Sequence, residues 1–187
     1  MAAYSHYSQV VIAIFLVLFG TNFSFYIMKK KKKFKQAFKM EELWLYIGII
    51  AVSTLIISVN ISSLYPTAYE SFHQGFFYVT SIISTAGFGI DDVNRWPELS
   101  KAVIIIITFI GAMAGSTGGG FKVSRIIILA KGLKRELNRL LHPRSVKAIT
   151  IDGKRIEEQT LSSTALYLTI YVGCILVVFF LLSFDKY

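Results

Sequence analysis

Residues 84–89 read Ser-Thr-Ala-Gly-Phe-Gly (STAGFG), a tight glycine turn between the apolar run 75–83 (GFFYVTSII) and the polar run 90–98 (IDDVNRWPE). The segment before the turn, 69–83, would make a helix only about 22 Å long, short of the ~30 Å hydrocarbon core of a bilayer. It also carries Glu70, His73 and Gln74. Whether this segment crosses a membrane or turns back at 84–89 decides the fold.

Bulk properties identify the solvent. The chain of 187 residues is 54% hydrophobic with a formal net charge of +9, and its mean hydropathy is +0.57. That apolar share exceeds the soluble norm and points to lipid. Cys174 is the single cysteine, so neither a disulfide framework nor a thiolate metal cluster is expected, and its apolar surroundings predict a buried small hydrophobe. The start, MAAYSHYSQVV, lacks the basic region of a signal peptide.

Stretches 9–28, 43–63 and 161–184 each meet the roughly 20 apolar residues that a spanning helix needs. A fourth, 100–131, is long enough but is interrupted by glycines. Lysines at 29–33, 35 and 39 follow the first span, and a second basic block runs from Lys131 through Lys134, Arg135, Arg139, Arg144, Lys147, Lys154 and Arg155. Positive residues in short loops mark the cytoplasmic side. A full crossing by 69–83 would put one of these blocks outside, whereas a re-entrant segment entering and leaving by the outer face keeps both inside. The sequence therefore predicts an all-α integral membrane protein with a helix, a re-entrant helix plus turn, and a broken helix.

Irregular backbone at membrane depth survives only where protein buries it or where it lines a watery cavity. A row of carbonyls replacing the hydration shell of a cation meets that condition. Gly87 and Gly89 are expected at positive φ, Thr85 adds a hydroxyl, and Phe88 is expected to wedge the turn against neighbouring helices. Thr85, Ala86, Gly87, Phe88 and Gly89 resemble the Thr-Val-Gly-Tyr-Gly filter of potassium channels, with aliphatic and aromatic swaps. An ordinary glycine-containing extracellular turn is the competing reading.

The run GAMAGSTGGGFK at 111–122 is the second chemical feature. Interior glycines cost about 1 kcal/mol each relative to alanine, so a helix break is expected at Gly115, Ser116, Thr117, Gly118, Gly119 and Gly120. It is not a phosphate loop, because Phe121 separates Gly120 from Lys122 and Val123 stands where a hydroxyl is needed. For Gly111 and Gly115 alone, close helix packing is the favoured reading. The longer run implies a flexible plug across a permeation path.

With these motifs in hand, the chain resembles the Trk-type potassium uptake proteins, membrane subunits of the Trk/Ktr/HKT superfamily. STAGFG with NRWP behind it, AGSTGGGFKVSRI, and LLHPRSVKAITIDGK carry the resemblance. It implies four repeats around one pore, each a helix, a pore helix with filter, and a second helix. On that template 1–28 is the second helix of one repeat and 29–42 a basic cytoplasmic linker. Residues 43–131 form a complete repeat, with helix 43–63, pore helix 69–83, filter 84–89, and helix 100–131 broken at 115–120. A cytoplasmic loop, 132–160, and the first helix of the next repeat, 161–184, follow.

The resemblance further implies that Thr85–Gly89 form a quarter of a filter binding potassium through carbonyls, with sodium as the alternative ion. Residues 115–120 would be a gating loop. Arg139, His142, Pro143 and Arg144 would face a cytosolic nucleotide-binding regulatory subunit. Other implied partners are membrane lipid, the remaining repeats of the transporter and a second copy in a homodimer, in the plasma (inner) membrane. No covalent cofactor, enzyme chemistry or nucleic-acid partner is expected, since the basic residues alternate with lipid spans. The chain lacks the other filters and the arginine of the last helix, so it is expected to be a piece of a longer protein. A non-conducting helical scaffold is the alternative function.

Overall fold

The computed structural model describes residues 1, 3–30, 34–142 and 148–184. In chain order the elements are α1 (His6–Phe19), α2 (Phe23–Lys30), α3 (Phe34–Ala37), α4 (Glu41–Asn60), α5 (Ala68–Ile83), α6 (Glu98–Ile110), α7 (Val123–Leu141), the strands β1 (Thr150–Ile151) and β2 (Lys154–Arg155), and α8 (Glu158–Leu182). The all-helical expectation holds apart from that two-residue hairpin. Two compact units, Met1–Ser124 and Arg125–Tyr187, are described separately.

In the first unit, α4 is the long element, about 30 Å by its length. Glu41 and Glu42 open it, favourably placed at a helix N-terminus. Its buried residues Tyr46, Ile50 and Ile57 face the core. The next helix, α5, is N-capped: Thr67 Oγ1 accepts from the amide of Glu70 at 3.2 Å. Gly75 lets α5 approach α4 closely, since a Cβ there would sit 2.8 Å from Ser58 Oγ. Phe77, Val79, Thr80, Ser81 and Ile83 of α5 are fully buried.

The chain turns back after α5. Asp91, beyond the turn, and Tyr65, before α5, are hydrogen-bonded to one another. Trp96 Nε1 donates to Tyr65 Oη at 3.2 Å, and Ser100 Oγ donates to Asn60 Oδ1 at 2.7 Å. The end of α4 and the start of α6 are therefore tied to one another, and the chain doubles back after α5. At 13 residues, α6 covers only about 20 Å. The loop 111–122 follows it, with its two ends brought together by the bonds of Phe121 N to Phe109 O and Lys122 N to Ile110 O.

Four segments differ from the sequence expectation. The first span is not one helix: it breaks at Gly20–Asn22 between α1 and α2, where Gly20 packs against the Tyr46 ring and Thr21 Oγ1 donates to the Val17 carbonyl at 3.0 Å. The glycine break is wider than 115–120, running from 111 to 122. Gly111 and Gly115 both take positive φ (72° and 69°) outside any helix, so they make no helix-packing pair. Finally, 132–160 is not a plain loop, and neither is 29–42, which holds the end of α2 and all of α3.

In the second unit, α7 stays helical to Leu141 because Lys, Leu, Arg and Glu are good helix formers, and it stops ahead of Pro143, whose ring disfavours helix at the preceding residue. Asp152 and Gly153, with φ of 51° and 75°, turn the hairpin. Gly132 of α7 meets α8 closely, since a Cβ there would stand 2.7 Å from Leu161 Cδ1. Arg135 forks onto Glu158 and also pairs with Glu136 at 3.0 Å. Among the described residues, α4 and α8 are the helices long and apolar enough to cross a membrane. Cys174 on α8 is exposed rather than buried, because α8 leaves its most apolar stretch uncovered within this chain.

Candidate functional site

The last turn of α5 builds the 84–89 turn. The Ser81 carbonyl accepts from the amides of Ala86 at 2.9 Å and Gly87 at 3.3 Å, and Thr85 N donates to Ile82 O at 2.9 Å. Positive φ occurs at Thr85 (60°) and Gly87 (72°). Gly89 lies outside that region, contrary to the sequence expectation. Its glycine is required for another reason: a Cβ there would stand 3.0 Å from the Tyr78 hydroxyl.

Two sides of the turn are anchored. On the helix side, Ser81 Oγ donates to the Phe88 carbonyl at 2.8 Å, which turns that carbonyl into the protein. Among the described residues, the carbonyls of Thr85, Ala86, Gly87 and Gly89 accept no hydrogen bond. On the outer side, Tyr78 Oη donates to the Asp91 carbonyl and accepts from the Asp91 amide at 3.0 Å. The Tyr78 ring meets buried Trp96 edge-on at 4.8 Å. Burial and the neighbouring Asp91 carboxylate raise the Tyr65 hydroxyl above its ordinary pKa, keeping it a donor. Phe88 is 42% exposed and does not wedge against these helices; Tyr78 and Trp96 do the packing instead.

The 111–122 loop lies against this turn. Gly119 N donates to Thr85 Oγ1 at 2.7 Å, and a Cβ on Gly118 would come within 3.0 Å of the Ser84 carbonyl. The loop is pinned elsewhere too. Met113 N donates to Gly20 O at 3.1 Å, Thr117 Oγ1 to Phe19 O at 3.2 Å, and Phe23 N to Gly115 O at 3.0 Å. The break between α1 and α2 thus supplies the carbonyls and amide that receive the loop. Lys122 Nζ caps the Gly118 carbonyl from within the loop.

The limbs of the loop zip together, since Phe121 N, Lys122 N and Val123 N donate to the carbonyls of Phe109, Ile110 and Ala112. The expectation that 115–120 would be weakly ordered is corrected by this network. The sequence reading missed Glu42, whose carboxylate accepts from Ala114 N at 2.7 Å and Ser124 N at 3.0 Å. Its only sequence signal was a carboxylate at the mouth of an apolar span. His6 and His73, far apart in sequence, meet with ring centroids 5.0 Å apart.

Structure therefore brings Thr85–Gly89 and Gly115–Gly120 together in one unit. Arg139 and His142 lie in the other, at the exposed end of α7, where Arg139 reaches Glu136 at 4.0 Å. Pro143, Arg144 and the lysines at 31–33 lie outside the described residues. Arg125, in that second unit, stacks over the Tyr167 ring at 3.9 Å.

Comparison with known proteins follows the same lines. A family model described as TrkH, cation transport protein, matches residues 42–185. The Trk system potassium uptake protein TrkH of Salmonella typhimurium is 35% identical over 158 residues, 82% of this chain and 32% of that protein. TrkG of Escherichia coli is 29% identical over 178 residues, 93% of this chain and 36% of that protein. The crystal structure of the potassium transporter TrkH from Vibrio parahaemolyticus superposes with a TM-score of 0.89 at 27% identity, over 100% of this chain and 41% of that one. The chain spans about a third of the length of the curated relatives it matches.

Proposed function

This chain belongs to the TrkH family of cation transport proteins, and on that premise we propose that it is a pore-forming part of a potassium uptake transporter. Its relatives are transporters and not enzymes. Thr85, Ala86, Gly87 and Gly89 present carbonyls that replace water around a dehydrated potassium ion. The carbonyl end of α5 abuts the turn, and the negative end of its dipole favours a cation there. Phe88 contributes shape rather than a ligand, because its carbonyl is taken by Ser81.

The observation that supports the reading is the 2.7 Å hydrogen bond from Gly119 N to Thr85 Oγ1, and in this reading Gly115–Gly120 act as the gate. Gly87 at φ 72° keeps the turn free of a Cβ, and by the family resemblance a glycine there goes with potassium, sodium being the alternative ion. The remaining filter segments come from the rest of the longer protein. Arg139, His142, Pro143 and Arg144 meet a cytosolic nucleotide-binding regulator, with 29–42 and 132–160 on the cytoplasmic side of the inner membrane.

Rubidium uptake by a potassium-uptake-deficient bacterium expressing the full-length protein tests this. Wild type restores uptake and Gly87→Asp abolishes it at equal membrane insertion. Uptake unchanged by the substitution sinks the pore reading and leaves a non-conducting helical scaffold.

A further inference from the structure

We propose that Glu42 is the positioning residue that latches the 111–122 loop beneath the 84–89 turn, an inference that rests on the gate reading above. Glu42 lies in the first turn of α4 and is 6% exposed. Its Oε1 accepts from Ala114 N at 2.7 Å and from Ser124 N at 3.0 Å. These amides stand on the two limbs of the loop, so a single carboxylate oxygen closes its base. Ser124 N belongs to the first turn of α7, whose leading amides have no partner within their own helix. The carboxylate thus satisfies an orphan donor and stands where a negative charge is favoured, at the N-termini of α4 and α7 together.

The base and tip of the loop are held by different groups. Glu42 holds the base, and Thr85 Oγ1 holds the tip through Gly119 N. Losing the tip bond leaves a loop that pivots on a fixed base. Losing Glu42 leaves the part-buried Ala114 and Ser124 amides without their charged acceptor, and the base of the loop is then joined by the backbone bonds of Phe121, Lys122 and Val123 without the carboxylate that ties Ala114 to Ser124. The consequence is a loop that withdraws from the turn and a pathway that stands open.

The test uses the full-length protein in inside-out membrane vesicles, with native cysteines replaced and a reporter at Met113→Cys. Met113 is 0% exposed in the latched loop, and the reporter is read by its rate of modification with a membrane-impermeant maleimide. Glu42→Ala raises that rate roughly tenfold to a hundredfold, the equivalent of hydrogen bonds to a charged group, and raises basal rubidium flux. Glu42→Gln keeps an oxygen acceptor and stays close to wild type.

A second reporter, Ile57→Cys, sits in the α4 core at 0% exposure and stays slow in both variants. An unchanged Met113→Cys rate in Glu42→Ala overturns the latch, and so does a rise at both reporters, which signals unfolding instead. Faster labelling at Met113→Cys alone with no change in flux keeps the latch and sinks the gate reading.

Discussion

Thr85 is a non-glycine residue at φ 60°, and its side chain repays that conformation by accepting the Gly119 amide. Thr85→Val keeps the shape and removes the acceptor, losing a solvent-exposed hydrogen bond that contributes about 0.5–1.5 kcal/mol. We expect faster hydrogen exchange at Gly119 in that variant and near-normal exchange in Thr85→Ser. Gly111 is constrained twice. It sits at φ 72°, and a Cβ would stand 2.6 Å from the Gly119 carbonyl oxygen and 2.8 Å from Gly120 Cα, which are backbone atoms that cannot swing away. Gly111→Ala should therefore cost at least about 1–3 kcal/mol, read as a lower melting temperature in detergent. Gly87 has open space where a Cβ would go, so its requirement is conformational, and the effect of substitution there should appear in transport before stability.

At the scale of elements, α5 owes its direction to Thr67 at its start and to the Tyr78, Asp91, Tyr65 and Trp96 cluster, which ties the returning chain to the segment ahead of α5. The cap went unread, although a Thr ahead of a helix is a local signal of the kind that is legible in a sequence. The cluster was not legible, because Tyr65 and Trp96 are 31 positions apart and meet only when the chain doubles back. Tyr78→Phe keeps the ring against Trp96 but loses both Asp91 bonds. The expected outcome is a looser turn: rubidium uptake that is more readily inhibited by sodium, with protein yield unchanged, measured by competition uptake. The break between α1 and α2 was equally hidden. A run of apolar residues from 9 to 28 reads as one helix, and only the loop donors that bond to Phe19 and Gly20 show why it ends.

For the molecule as a whole, the family model covers residues 42–185, which include α4, α5, the 84–89 turn and the 111–122 loop. One turn does not enclose an ion, however. Thr85, Gly87, Phe88 and Gly89 are all exposed in this chain, which leaves room for the filter segments of a longer protein. The 187-residue segment reconstituted alone in liposomes is therefore expected to give no rubidium flux above empty vesicles, whereas the full-length protein does. Flux from the segment alone would mean that copies of it assemble around a shared axis.

The amino-acid sequence by itself determined the solvent, the helical class, the turn-back at 84–89 and the two glycine motifs, because hydropathy, charge bias and glycine content act locally along the chain. Only the tertiary structure decided where the helices break, that Tyr78 rather than Phe88 supports the turn, and that Glu42 ties the limbs of the loop. Each of these depends on a donor meeting an acceptor beyond its local stretch of chain, 13 positions apart for Tyr78 and Asp91 and 72 for Glu42 and Ala114. A buried carboxylate finds its partners through packing, and nothing in the residues adjacent to Glu42 specifies which amides those will be.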